Sequence, residues 1–218
     1  MVMKTAGFYA ALLLTLLLTA GRPVLAVDTI GWEGLVPPLD EAQDPFLLLS
    51  EEQQESLYDL WMVRERIASG SKNLEDLEKK AVDNLASGGI DADQILRELE
   101  EFLAMVEENN FRLVQDLDGK IVRIPGYVLP TEFSGDKVVE FLLVPYVGAC
   151  VHTPPPPANQ MVHVKVKEGF TSEGLFAPVW VTGQITTAMT TQSLSLNDGT
   201  TEVEAGYQIS ASDIAPYE

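Results

Sequence analysis

The side chains in this 218-residue chain with most to offer chemically are one cysteine and two histidines: Cys150, His152 and His163. In an extended segment, residues two apart share a face, so Cys150 and His152 project together while Ala149 and Val151 face the other way. A thiolate and an imidazole about 6–7 Å apart along a strand can converge on one soft or borderline cation. The next apolar run repeats the alternation: Val162, Val164 and Val166 share one face, and Met161, His163 and Lys165 the other. If the intervening prolines fold the two segments back as neighbours, His163 or Met161 meets the Cys150 and His152 pair, with His163 as third ligand. Zinc accepts thiolate and imidazole, usually with a carboxylate or water as the fourth ligand, whereas copper(I) makes better use of Met161. Two other readings stand beside this one. Cys150 can be a small buried hydrophobe with the histidines a hydrogen-bonded pair, or a nucleophile activated by His152 or His163.

The rest of the catalytic repertoire is thin. With only two histidines there is no His-Glu-x-x-His pair, no Gly-x-Ser-x-Gly elbow places a serine nucleophile, and no glycine loop of the phosphate-cradling type stands at a strand-to-helix junction. A non-enzymatic role is therefore expected. Pro154 to Pro157 favour a stiff polyproline II conformation without amide donors, a pre-ordered ledge suited to docking a partner.

The elements that must position these residues follow a leader. Lys4, the apolar stretch Ala6 to Ala20, and Val24-Leu25-Ala26 have the order of a secretory signal peptide cleaved after Ala26, which places the mature chain in a bacterial periplasm without a membrane anchor. Its removal takes the basic count from 14 to 12 against 33 acidic residues and the net charge from −19 to −21. That charge repels nucleic acid and anionic headgroups and keeps the chain soluble. A lone cysteine makes no internal disulfide, so the core alone must stabilise the fold.

Residues 27–49, with Gly31, Gly34, Pro37 and Pro38 among Trp32, Leu35 and Leu39, read as an irregular arm. Residues 50–112 read as about three helices: a capping box at Ser50 and Gln53, apolar spacing from Leu57 to Ile67, a second helix carrying Leu74 to Leu85, and a third opened by Asp91 and Gln94. The acidic run Glu98, Glu100, Glu101, Glu107 and Glu108 is the solvated face of that third helix. From residue 113 to 218 the period alternates, and five strands are expected near 120–128, 138–147, 161–167, 177–188 and 204–211, with turns at Ser134-Gly135-Asp136, Gly169 and Asn197-Asp198-Gly199. The fold class is α+β, the β half a mostly antiparallel, five-stranded OB-like barrel, with a β-sandwich as the alternative. Tyr127, Phe133, Tyr146, Trp180 and Tyr207 line such a barrel's surface or fill its core.

Three stretches carry a resemblance: Gly119-Lys120-Ile121-Val122-Arg123-Ile124-Pro125-Gly126-Tyr127-Val128-Leu129-Pro130, the run Glu140 to His152 with its prolines and Asn159-Gln160, and Pro178 to Gly183 with Ala205-Gly206-Tyr207. They resemble a bacterial periplasmic family catalogued as domain of unknown function 3299. The resemblance covers most of the mature chain and is specific in its β half. It implies a small exported protein often encoded beside an ABC transporter of the macrolide-exporter type in zinc-responsive clusters, which favours zinc over copper. It assigns no binding residues.

Overall fold

The computed structural model describes residues 27–149, 155–196 and 199–217. The expected signal peptide lies outside them. Three helices follow the N-terminal arm, α1 (Glu51–Ala68), α2 (Glu75–Ser87) and α3 (Ala92–Asn109). At the start of α1 the Ser50 hydroxyl accepts from the Gln53 amide and the Gln53 side chain accepts from the Ser50 amide, a complete capping box. At α3 only half of the expected box forms. Asp91 accepts from the Asp93 and Gln94 amides, while the Gln94 side chain turns forward to Glu98. Leu57, Leu60, Leu85, Ile95, Leu96 and Leu99 bury the inner faces of the three helices in a core of their own. Arg64 ties the set together, its guanidinium reaching Glu78 on α2 at 2.9 Å and Asp93 at the start of α3 at 2.7 Å. The acidic run on α3 is exposed throughout, as a solvated face requires.

The β half is a single six-stranded mixed sheet of β1 (Val27–Thr29), β2 (Ile121–Ser134), β3 (Lys137–Val144), β4 (Val162–Phe170), β5 (Pro178–Leu196) and β6 (Gly199–Pro216). The order is β1-β2-β3-β4-β6-β5, and β5 pairs again with β2, so five strands join in a closed ring of hydrogen bonds. The strands thus lie in one sheet, whereas a sandwich needs two. The sixth strand comes from the arm read as irregular: Val27–Thr29 precede its glycines and prolines and pair in parallel with Ile121–Arg123. β2 serves two neighbours, pairing β5 through Ile121 to Tyr127 and β3 from Tyr127 onward. Most pairings are antiparallel, but β4 and β6 run parallel. Gly169, expected to be a turn, lies inside β4. Its φ of +62° lets the backbone pass Lys137, whose Cβ stands 2.8 Å from where a glycine Cβ would be.

Val122, Ile124, Val128, Phe141, Leu143, Val162, Val164, Val181, Tyr207 and Ile209 fill the inside of the ring. The opposite face of β2, β3 and β4 is also buried: Leu129, Leu142, Val144, Ala149 and Met161 pack beneath Leu194, Val203 and Ala205 of the long β5–β6 hairpin. Helices and ring therefore hold separate cores, and a polar junction joins them. The fully buried Tyr207 hydroxyl donates to the Leu35 carbonyl and accepts from the Val114 amide, both at 2.7 Å. Asn159 Nδ2 donates to the carbonyls of Asn109 and Arg112, Asn109 Nδ2 to that of Pro37, and Gln160 Nε2 to that of Trp32. Gly206 allows this approach, because a Cβ there would stand 2.9 Å from the Ala158 carbonyl oxygen. Tyr207→Phe leaves the Leu35 carbonyl and the Val114 amide without their buried partner. A loss of about 1–3 kcal/mol is expected in urea unfolding, seen as a lower midpoint at an unchanged slope.

Candidate functional site

β3 and β4 run antiparallel with Leu142 opposite His163 and Glu140 opposite Lys165, so alternation puts these four side chains on one face. It is the face that carries Leu129 and Met161, away from the inside of the ring. Glu140 is the single acid in Val138-Val139-Glu140-Phe141-Leu142-Leu143-Val144, and it is the last residue of the unbroken register with β4 before the shift toward Val138. His163 Nε2 lies 2.8 Å from Glu140 Oε2, and Lys165 Nζ lies 3.0 Å from Glu140 Oε1. His163 is 2% exposed, whereas Lys165 reaches solvent.

A carboxylate oxygen only accepts, so the proton shared with Glu140 sits on His163 Nε2 and leaves Nδ1 with a bare lone pair. Among the described residues Nδ1 has no hydrogen-bond partner, and the only other buried side-chain atom in that position is Thr131 Oγ1. Thr131 lies in the β2 bulge between Pro130, opposite Phe141, and Glu132, opposite Glu140. Burial holds the His163 ring below the ordinary histidine value of 6.5, outweighing the pull of Glu140, and Lys165 adds repulsion in the same direction. Burial alone would raise the Glu140 carboxyl. The hydrogen bonds from Lys165 and His163, with the charge of the Lys165 ammonium, outweigh it and hold the group below its ordinary 4.5. The result is a neutral, buried imidazole anchored at one nitrogen by an ionised carboxylate.

Of the three residues expected to bind metal, the structure places His163 and leaves Cys150 and His152 outside the described residues, together with Val151, Thr153 and Pro154. Ala149, the last described residue before them, shares the outer apolar cluster with Met161, two positions from His163 on the same strand face. Among the described residues no three His, Cys, Asp or Glu side chains converge as a metal-holding group. Glu140 was not anticipated from the sequence, although a lone acid inside an apolar strand is the signal that marks it. Of the aromatic residues, Tyr207 is core, Phe133 and Tyr146 are exposed, and Trp180 carries the Arg123 guanidinium 4.4 Å above its ring.

The model of a protein family of unknown function, DUF3299, matches residues 32–216. The chain belongs to the DUF3299 family. Comparison with curated proteins finds no match. A solved crystal structure of a DUF3299 family protein from Pseudomonas aeruginosa PAO1 is similar, with 26% identity, 88% of this chain and 97% of that chain covered, and a TM-score of 0.46. For this DUF3299 chain, no helix among the described residues is long and apolar enough to cross a membrane.

The pair makes stability depend on pH in a definite direction. In the unfolded chain His163 titrates near 6.5 and in the folded chain lower, so the unfolded state binds more protons in between. Stability is then full above about pH 6.5 and falls as pH drops through that window. Glu140, also depressed, adds a second fall beginning below its ordinary 4.5. With a chelator present, urea midpoints of the wild type are expected to decline between pH 7 and 5, and His163→Gln is expected to lack that decline.

Proposed function

We propose that this protein is an exported accessory of zinc homeostasis that works in the periplasm beside an ABC transporter and binds zinc through Cys150, His152 and His163. The observation that carries the reading is the His163 ring, buried, with Nε2 held by Glu140 and Nδ1 without a partner among the described residues. A metal-ligating histidine almost always gives its other ring N–H to a carboxylate or carbonyl in this way. Thiolate and two imidazoles suit zinc with a water or carboxylate in fourth place. Met161 packs within the outer apolar cluster, which favours zinc over copper(I).

We read the five-strand ring as an OB-like barrel. The strand order, the long β2 divided between β3 and β5, and the parallel β4–β6 pair support it. Such barrels use the face of their second and third strands for ligands, here β3 and β4. The chain's net charge of −19 disfavours nucleic acid as the ligand and favours a cation. The export and transporter parts of the proposal rest on the leader-like N-terminus and on what the family resemblance implies. Competition with a chromophoric chelator is expected to find one zinc per mature chain. Cys150→Ala, His152→Ala and His163→Ala should each weaken it by about tenfold or more, on the scale of losing a ligand's contribution. Equally negligible uptake by all four proteins removes the reading.

A metal-free docking module is the second reading, and the exposure of Pro155, Pro157, Tyr146 and Val147 around the proline run favours it. In envelope extracts, replacing Pro154 to Pro157 by Ser and Gly should then release the transporter partner, with zinc uptake absent from the wild type as well.

A further inference from the structure

We infer that Glu140 is the positioning residue of the His163 site, holding the ring by its Nε2–H and so making Nδ1 the atom offered to the metal. The inference rests on the zinc reading for the metal and on the hydrogen bonds of this chain for the ring. Both Glu140 oxygens are committed, Oε2 to His163 Nε2 at 2.8 Å and Oε1 to Lys165 Nζ at 3.0 Å. One oxygen faces the ring and the other the Lys165 ammonium, so the contact of Glu140 with the site runs through the histidine. The ammonium of Lys165 keeps the carboxyl ionised, and an ionised carboxyl requires the proton on Nε2. Turning the ring over would set a carbon against the carboxylate, and at 2% exposure the nitrogen so displaced has no access to water in exchange. The lone pair on the buried Nδ1 meets no donor among the described residues.

The test separates ring from metal. In the metal-free, nitrogen-labelled protein, heteronuclear NMR is expected to show a His163 Nε2–H that resists exchange with water, lost in Glu140→Ala and partly restored in Glu140→Gln, which keeps an acceptor oxygen. With cadmium as the zinc probe, scalar coupling to His163 should run through Nδ1 in the wild type. Zinc affinity should fall about 10–100-fold in Glu140→Ala, the usual effect of losing such an outer partner. A proton on Nδ1 in the metal-free protein, coupling through Nε2, or unchanged zinc affinity in a folded Glu140→Ala each overturns the inference. Absence of zinc uptake by the wild type overturns the zinc reading itself, and the exchange-protected Nε2–H then decides on its own whether Glu140 holds the ring. A purely structural role would lower the stability of Glu140→Ala without changing which nitrogen meets the metal.

Discussion

Everything in this protein hangs on a polar junction between two cores that do not share side chains. The helices bury their apolar faces against one another, and the strand ring fills its own interior. What connects them is the end of α3, where the last carbonyls of a helix have no partner within it. Asn159, delivered by the turn before β4, donates to the carbonyls of Asn109, the last residue of α3, and of Arg112 just beyond it, and its own amide donates to that of Asn110. The arm is held by the same logic. Its carbonyls at Trp32, Leu35 and Pro37 take hydrogen bonds from Gln160, Tyr207 and Asn109. A buried carbonyl left alone would cost about 1–3 kcal/mol, so these side chains fix the junction by making every other arrangement worse.

This junction also decides where the candidate site lies. Asn159 and Gln160 are placed by the end of α3 and by the arm, and β4 starts two residues later at Val162. The register of β4 against β3 then brings His163 opposite Leu142 and Lys165 opposite Glu140. On the far side, the β5–β6 hairpin runs beyond the ring, and Leu194 and Val203 close over Leu142 and Met161. β3 and the first residues of β4 are thus buried on both faces, and a histidine on the outer face ends up as deeply enclosed as the valines behind it.

Much of the scaffold was legible because it follows local rules. The capping box at Ser50, the apolar spacing of the helices and the alternation of Val162, Val164 and Val166 are all written within a few residues. The α+β class and the shared face of Met161, His163 and Lys165 follow from them. Features set by distant pairing were not legible. The parallel partnership of β4 and β6 leaves no local trace, and the threonine-rich course of β5 carries no contrast between faces to show that it continues to Leu196. Glu140 and His163 lie 23 residues apart and meet because Glu140 to Leu143 pair in unbroken register with Lys165 to Val162. A one-residue slip would send Glu140 to the inner face.

The Glu140–His163 pair is hard to account for as a stabilising device. A buried polar pair is weak evidence for stability, since apolar residues of similar volume commonly serve as well. Here apolar neighbours are at hand: Leu129, Leu142 and Met161 already cover the same face. A leucine at position 163 would extend that cluster, with no desolvated ring nitrogen to satisfy. The chain instead encloses an imidazole, satisfies one nitrogen with a carboxylate that Lys165 keeps ionised, and leaves the other without a partner among the described residues. That arrangement lowers stability unless a group beyond the described residues meets Nδ1, and the zinc proposed above would be such a partner.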